Sequence, residues 1–292
     1  MARPGLSIFA LLLTVGSALA QAPENRTESR PEGRLERITA SQTIKVAHRT
    51  DARPFSFVDE RNEVTGYTID LCKRVVDALQ RRLALGALKI EWVPVTTQTR
   101  FDAVADGKAD LECGASTITL GRMKQVDFSS VVFVESTGLL VRKADGIVAG
   151  RQLGGKKIAV IAGTSNERAL TNANAGSGIN AVIVPVKDRA EGVALLEGGG
   201  ADAFASDKLL LLGVQAERPE ALAMLPDDIS IEPYGIVLPR GDWALRLAVN
   251  GALAEVYRKG DAIKIFETWF SPVGLRPGLL LGAAFVLGAL PE

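Results

Sequence analysis

The chain is poor in the residues on which most metal and nucleophile chemistry depends. Its 292 residues include one histidine, His48, and two cysteines, Cys72 and Cys113. A structural zinc site needs four such ligands, and a serine-type catalytic triad needs a histidine beside its nucleophile. The sequence also has no CxxC, no HExxH and no phosphate-binding glycine loop. We therefore predict a protein without a metal or cofactor and without catalytic residues, that is, not an enzyme.

An excess of charge of either sign is also missing. Lys and Arg number 34, and Asp and Glu number 34, whereas a nucleic-acid-binding domain carries a basic excess. No nucleic-acid partner is therefore expected. Hydrophobic residues make up 47% of the chain, which supplies a core for one large domain or two of medium size. Any recognition of a charged ligand must come from a local cluster of side chains.

No apolar run is long enough to span a membrane, but a shorter one lies near the start of the chain. Arg3 precedes an apolar stretch at residues 6–15, well below the ~20 residues of a spanning helix. Small residues follow up to Ala20, so residues 1–20 are predicted to be a cleavable signal peptide that directs the protein to the periplasm. Residues 21–34 are polar and are expected to form a flexible leader.

The two cysteines leave two interpretations open. In an oxidising compartment Cys72 and Cys113 could form a disulfide. Buried free thiols, which pack as small apolar side chains, are the alternative. The spacing in the sequence is compatible with both, because a disulfide depends on the separation of the two residues in the fold.

Strand and helix patterns alternate in both halves of the chain. β-branched and apolar runs predict strands, and apolar residues at helical spacing predict helices. The first half has predicted strands at 43–47 and 88–93 and helices at 69–83 and 99–105, and the second half has strands at 157–161 and 181–186 and helices at 165–170 and 190–197. This alternation predicts an α/β fold with parallel sheets.

The repetition indicates two similar lobes. Residues 104–110 and 196–202 resemble each other as a helix end, a glycine turn and a short strand. Extended stretches at 137–141 and 234–238 are expected to link the lobes and to act as a hinge.

These linkers divide the chain into a discontinuous first lobe and an inserted second one. Lobe 1 is predicted to comprise residues 35–141 plus 236–292, and lobe 2 residues 142–235. The apolar tail at 279–290 is too short to span a membrane, so we expect a terminal helix that packs on lobe 1.

Four arginines follow predicted strands, where ligands bind in open α/β sheets. They are Arg49, Arg100, Arg122 and Arg189, and serines and threonines lie close to them in the sequence. A guanidinium binds a carboxylate with two parallel hydrogen bonds, and hydroxyls add further donors. A single such arginine is more often a solvated surface charge, but four at equivalent strand ends favour a carboxylate-binding site.

An amino acid ligand also needs an acceptor for its ammonium group. Asp207 follows the apolar residues 203–205 and is a candidate for that acceptor. It could equally be the N-cap of a helix over residues 208–212, and one aspartate can serve both purposes.

Several motifs, in order, resemble the family 3 periplasmic solute-binding proteins for polar amino acids, in particular the glutamate/aspartate-binding branch. The resemblance covers residues 35–270. It rests on His48-Arg49 with Pro54-Phe55-Ser56-Phe57, Gly66-Tyr67, Thr96-Thr97-Gln98-Thr99-Arg100, Glu112-Cys113-Gly114 through Arg122, Phe128-Ser129, Gly163-Thr164-Ser165 and Trp269-Phe270. It implies the two-lobed type II periplasmic binding protein fold, with two αβα lobes joined by two crossover strands.

The resemblance also implies how the two ends of the ligand backbone are held. Thr117 and Arg122 match the residues that bind the α-carboxylate, and Thr164 adds a hydroxyl from lobe 2. Ala115 lies where a backbone group meets the ammonium, and Asp207 matches the acidic ammonium partner.

For the ligand side chain, the same resemblance implies a carboxylate pocket. Arg49, Thr97 and Arg100 match that pocket, and Arg189 lies where this branch often has histidine. Two other positions depart from the usual pattern: Thr68 replaces an acidic residue, and Ala115 replaces a hydroxyl-bearing one.

The function implied is that of the substrate-binding component of an amino-acid ABC importer. A dicarboxylic amino acid, glutamate or aspartate, would bind between the lobes, which close by a hinge motion, and an inner-membrane permease would be the partner of a monomeric protein. Two alternatives share the fold. One is a periplasmic dehydratase acting on prephenate or arogenate, for which Glu112 and Glu167 are the nearest acid candidates. The other is a ligand-sensing partner of a membrane receptor.

Overall fold

The computed structural model describes Met1 and residues 33–177 and 180–291. The predicted signal peptide beyond Met1, and the predicted leader up to residue 32, lie outside the described residues. The helices are α1 (Arg34–Ser41), α2 (Tyr67–Arg82), α3 (Arg100–Ala105), α4 (Ser165–Ser177), α5 (Arg189–Glu197), α6 (Lys208–Glu217), α7 (Trp243–Arg258), α8 (Asp261–Phe270) and α9 (Leu279–Gly288).

The strands alternate with these helices, as the sequence predicted. They are β1 (Thr43–Arg49), β2 (Asp51–Ala52), β3 (Ser56–Val58), β4 (Val64–Thr65), β5 (Lys89–Val95), β6 (Leu111–Glu112), β7 (Val126–Phe128), β8 (Phe133–Glu135), β9 (Thr137–Arg142), β10 (Lys157–Ile161), β11 (Val182–Val186), β12 (Ala203–Asp207), β13 (Leu222–Met224), β14 (Glu232–Tyr234) and β15 (Val237–Pro239).

Two five-stranded sheets organise the described chain. The first has the order β5-β1-β6-β15-β7 and the second the order β11-β10-β12-β9-β13. In the first sheet β5, β1 and β6 run parallel, and β15 runs antiparallel to both β6 and β7. In the second sheet β11, β10 and β12 run parallel, and β9 runs antiparallel to both β12 and β13. The α/β prediction with parallel strand pairs is confirmed.

Both faces of each sheet are covered, which explains the nearly continuous apolar strands. In β10, Ile158 and Val160 pack into one buried cluster, and Ala159 and Ile161 pack into the cluster on the opposite face. A strand buried on both faces has apolar residues at successive positions instead of alternating ones. Each sheet is therefore the middle layer of an αβα sandwich.

A two-stranded ribbon connects the parts of the chain that carry the two sheets. β8 pairs with β14 in antiparallel register, with Glu135 opposite Glu232. Aromatic packing fixes the ribbon on the side of the first sheet, because the rings of Phe133 and Tyr234 lie 4.9 and 5.2 Å from the ring of Phe55.

Two predicted boundaries differ from the structure. Residues 137–141, expected in lobe 1, form most of β9, which pairs with β12 and β13 and so belongs to the second sheet. Arg34, expected in the flexible leader, begins α1 because its guanidinium donates hydrogen bonds to the carbonyls of Val104 and Ala109, at 2.7 and 2.5 Å.

Cys72 and Cys113 form a disulfide, which decides between the two interpretations of the cysteines. It joins α2 to the residue directly after β6 and closes a loop across a sequence separation of 41 residues. Closing a loop of that length stabilises the folded state by about 4 kcal/mol in the chain-entropy account. The bond therefore holds the end of β6 against the helical layer of the first sheet.

The apolar tail forms the terminal helix that the sequence predicted. Leu281 and Phe285 of α9 are buried in the core of the first sheet, and the ring of Phe285 stacks on Tyr257 of α7 with centroids 5.0 Å apart. Within residues 33–177 and 180–291, no helix combines the length and the apolar character needed to cross a membrane.

Candidate functional site

A small cavity is lined by residues that follow strands of both five-stranded sheets. Its volume is about 20 Å³, which is room for about one water molecule. It is lined by every residue predicted to bind the ligand: Arg49, Thr97, Arg100, Ala115, Thr117, Arg122, Thr164, Arg189 and Asp207. The prediction missed six further lining residues: Ile161, Ser165, Asn166, Ala205, Ser206 and Leu210.

The strand topology explains why residues distant in sequence meet here. β1 ends at Arg49 and β12 ends at Asp207, while Arg100 and Arg189 are the first residues of helices that follow β5 and β11. Adjacent parallel strands bring their carboxyl ends to one edge of a sheet, where ligands bind in open α/β sheets. The two edges face the same cavity.

Arg100 and Arg122 are held by hydrogen bonds to the segment after β6. Arg100 Nε donates to Ser116 Oγ at 2.9 Å, and its Nη1 donates to the carbonyl of Thr97. Arg122 Nη1 donates to the Thr117 carbonyl at 2.8 Å. Burial, together with the positive charges of Arg122 and Arg49, lowers the pKa of Arg100 to about 9, so it stays charged at neutral pH.

Both of these guanidiniums lie over the ring of Phe101. The Cζ atoms of Arg100 and Arg122 are 4.5 and 4.8 Å from its centroid. Attraction to the π face lowers the cost of placing two positive charges close together.

Arg49 and Arg189 approach the cavity from opposite sheets and share one carboxylate. Arg49 Nε donates to Asp51 Oδ1 at 2.8 Å, and Arg189 Nη1 lies 3.7 Å from Asp51 Oδ2. Arg189 Nε is buried and has no hydrogen-bond partner in the part of the chain that the structure describes. It is a donor left available in the wall of the cavity.

Two acidic residues, Glu112 and the partly buried Asp207, oppose the positive charge. Glu112, the last residue of β6, is fully buried, and burial raises the pKa of its carboxyl although Arg100 acts in the opposite direction. Asp207 accepts a hydrogen bond from Asn166 Nδ2 at 3.2 Å. Burial is the main cause that raises the pKa of Asp207 to about 6, and the negative charge of Glu232 is the second.

Hydroxyl groups lie on both sides of the cavity and connect the sheets across it. Thr117 Oγ1 and Ser165 Oγ are 3.1 Å apart. Thr164 Oγ1 accepts a hydrogen bond from Glu167 N at 3.2 Å and so caps α4. The N-terminus of α4, with Ser165 and Asn166, therefore faces the cavity, and a helix N-terminus attracts anions.

The residues that the prediction missed have recognisable signals. Ser165 and Asn166 directly follow Thr164 and begin a helix, and Asp51 lies two residues after Arg49. Glu112 is an acid in a short apolar strand, and a Cβ atom on Gly114 would clash with its carboxylate. The carboxylate oxygens of Glu112 have no hydrogen-bond partner among the described residues, and the positive charge of Arg100 is the main effect that opposes the cost of burying them.

The site holds no metal-binding cluster within the described ranges 33–177 and 180–291, because no three His, Cys, Asp or Glu side chains come close enough together. The two acids considered for a dehydratase do not line the cavity either. Glu167 accepts a hydrogen bond from the Gly163 amide at 2.8 Å, and Glu112 lies behind the arginines.

Comparison with known proteins gives a consistent result. The family model for bacterial extracellular solute-binding proteins, family 3, matches residues 44–272. An L-glutamate/L-aspartate-binding protein of Pseudomonas aeruginosa is 36% identical over 264 residues, which cover 89% of this chain and 87% of that protein. A glutamate/aspartate import solute-binding protein of Escherichia coli is 33% identical over 270 residues, which cover 92% of this chain and 88% of that protein.

A solved structure extends the likeness to the fold. The ancestral amino acid-binding protein AncCDT-1, a precursor of cyclohexadienyl dehydratase, superposes with a TM-score of 0.68 and 30% identity, covering 81% of this chain and 99% of that one. These relatives are binding proteins and not enzymes, in agreement with the expectation from the sequence. The chain belongs to family 3 of the bacterial extracellular solute-binding proteins and has their two-lobed type II periplasmic binding fold.

Proposed function

We propose that this protein is the periplasmic substrate-binding component of an amino-acid ABC importer and captures glutamate or aspartate between its lobes. The observation that carries the proposal is the convergence of four arginines, from both sheets, on one small cavity that also contains Asp207. The two relatives described above are named for the same ligands. Export through residues 1–20, a monomeric state and an inner-membrane permease as partner belong to the same proposal.

The charges of the site favour a ligand with one net negative charge. Four arginines line the cavity against one lining carboxylate, that of Asp207, so the groups that would touch the ligand carry an excess of positive charge. The acidic residues just outside the lining, Asp51, Glu112 and Glu232, reduce this excess. Glutamate and aspartate each carry two carboxylates and one ammonium. A neutral amino acid would leave the extra charge uncompensated in a closed cavity, which costs several kcal/mol.

Each end of the ligand has an assigned set of partners. Arg122, Thr117 and Thr164 would bind the α-carboxylate, and Asp207 with the backbone at Ala115 would bind the ammonium.

The distal carboxylate would bind to Arg49, Thr97, Arg100 and Arg189. Arg189 contributes a charge that does not depend on pH where a histidine would titrate.

Binding requires the lobes to move. The cavity of about 20 Å³ holds about one water molecule, so an amino acid can enter only when the two sheets separate. The ribbon of β8 and β14 is the element about which we propose that they rotate, and closing then surrounds the ligand.

A ligand screen tests the proposal. We expect glutamate or aspartate, at about 100 times its dissociation constant, to add roughly 2.7 kcal/mol of stability, which raises Tm by about 5–10 °C in a domain of this size. The measurement is a thermal-shift assay of the purified protein with the common amino acids and several dicarboxylates, followed by calorimetry. A response to a different dicarboxylate alone would overturn the ligand, and no response to any of them would overturn the binding role.

Acidification is expected to weaken binding through Asp207. Its pKa of about 6 in the absence of ligand falls when an ammonium binds beside it, so binding releases a proton. The affinity should therefore be constant above about pH 6 and fall by up to about tenfold per pH unit below it. Calorimetry between about pH 5 and 8 measures this dependence, since the ligand side chain titrates only near pH 4.

Asp207→Asn is the matched control, because it keeps the shape and removes the titrating group. It should weaken binding and flatten the profile. Glu135 is the competing candidate, because burial raises its pKa to about 8. An unchanged slope in Asp207→Asn would assign the proton to another group such as Glu135.

A further inference from the structure

Asp51 connects two of the arginines, one from each lobe. It begins β2, two residues after β1 ends at Arg49. Its Oδ1 accepts from Arg49 Nε at 2.8 Å and pairs with Arg49 Nη2 at 2.6 Å. Arg189 Nη1 donates to the backbone carbonyl of Asp51 and lies 3.7 Å from its Oδ2. One aspartate thus contacts arginines from both lobes.

The position of Asp51 separates it from the residues that would touch the ligand. It does not line the small cavity but lines a wide groove of about 1110 Å³ on the other side of Arg189 and Thr97. Its side chain is 46% exposed, whereas that of Arg49 is 4% exposed and that of Arg189 is 12% exposed. Asp51 therefore holds the two guanidiniums from behind and leaves their inner faces to the cavity.

Electrostatics explain why such a residue is required. Arg49 is buried and Arg189 is mostly buried, and both are positive, so without a counter-ion they repel each other as the lobes close. Burial lowers the pKa of Arg189, the charge of Asp51 raises it, and the charge of Arg49 lowers it again. The Asp51 carboxylate compensates this repulsion without occupying the space of a ligand carboxylate.

Two other contacts cross between the lobes near this point. Gln98 Nε2 donates to the carbonyl of Lys187 at 2.6 Å, and Thr117 Oγ1 lies 3.1 Å from Ser165 Oγ. Both are neutral, whereas the contact of Asp51 with Arg189 is charged and reaches a residue of the cavity wall. It therefore links closure of the lobes to the assembly of the distal pocket.

We propose that Asp51 is a positioning residue that determines ligand specificity: it draws Arg49 and Arg189 together on closure and so assembles the subsite for a distal carboxylate. The proposal rests on the proposed function for the identity of the ligand. It assigns a selective effect to a residue that does not touch the ligand.

The test compares Asp51→Ala and Asp51→Asn with wild type. Asp106→Asn is the control, because Asp106 is a half-exposed aspartate with a surface ion pair of its own, to Lys108 at 3.2 Å. We expect Asp51→Ala to raise the dissociation rate of glutamate by about tenfold and to leave its association rate within about twofold, because the contact stabilises the closed form and not the open form that the ligand enters. The preference for glutamate over glutamine should fall by about the same factor. Asp51→Asn keeps an acceptor but loses the charge, so its dissociation rate and its preference should lie between those of Asp51→Ala and wild type.

A purely structural role would give a different pattern. It would lower Tm and weaken glutamate and glutamine equally. Equal weakening of glutamate and glutamine binding in Asp51→Ala would overturn the proposal. Unchanged rates and an unchanged preference, while the wild type binds glutamate, would overturn it as well. Either result would leave the proposed function intact.

Hydrogen exchange measured without ligand tests the role of Asp51 independently of the proposed function. Asp51→Ala should increase amide exchange by at least about threefold in β2 and in residues 187–190, which the contact joins, and the control should not. A wild type that binds no amino acid would overturn the proposed function and the specificity role. Unchanged exchange in Asp51→Ala would show that the carboxylate of Asp51 does not join the lobes.

Discussion

Replacing Arg122 with alanine is expected to abolish binding of every amino acid, with a loss of about 1000-fold or more in affinity. Its guanidinium is assigned to the α-carboxylate, which all amino acids share. Removing one partner of a buried, hydrogen-bonded charge pair costs about 2–5 kcal/mol, and each ~1.4 kcal/mol is tenfold. Arg122 also offsets the nearby negative charges of Asp207 and Glu232, so the cost should be near the upper end.

Calorimetry with glutamate, aspartate and glutamine measures the loss, and a thermal melt without ligand shows whether the variant is folded. Arg74→Ala is the control, since Arg74 lies on the surface of α2 and pairs with Asp77 at 4.0 Å. Binding by folded Arg122→Ala with the affinity of the wild type would refute the assignment of the α-carboxylate site.

Replacing Arg100 with alanine is expected to change selectivity rather than binding in general. Its charge is assigned to the distal carboxylate, so glutamate should lose about 100-fold in affinity while glutamine loses much less. The buried carboxyl of Glu112 moderates the loss of stability, because its pKa, already raised by burial, rises further without Arg100 and the group can take up a proton.

The ratio of the dissociation constants for glutamine and glutamate is the quantity to measure. Arg100→Lys is the matched variant: it keeps the charge but loses the fork that donates to Ser116 and Thr97. It should recover part of the preference. An equal loss of affinity for both ligands in Arg100→Ala would place Arg100 at the α-carboxylate and ammonium end, which glutamate and glutamine share.

The strand ends explain how much of the site was predictable. Arg49, Arg100, Arg189 and Asp207 each lie at the end of a strand or the start of a helix, and those patterns are local in the sequence. In an α/β sheet the carboxyl ends of parallel strands form one edge. The prediction of nine lining residues therefore required only the order of the elements, together with the resemblance to a known family.

The partners of those residues were not predictable in the same way. The position of the buried Glu112 carboxyl beside the charge of Arg100 depends on packing within the first lobe. The contact of Asp51 with Arg189, across 138 positions of sequence, depends on how the two sheets face each other. The boundary at residues 137–141 was wrong for a similar reason, since β9 is apolar enough for either sheet and only its pairing with β12 assigns it to the second.

By itself, the sequence determined the alternation of strands and helices, the two lobes and the set of arginines, because each depends on periodicity or on position relative to a strand end. The tertiary structure decided the pairing of Cys72 with Cys113, the sheet to which β9 belongs and the sharing of Asp51 by two arginines. These are contacts between segments far apart in the chain. They depend on distances of a few ångströms that local patterns do not encode.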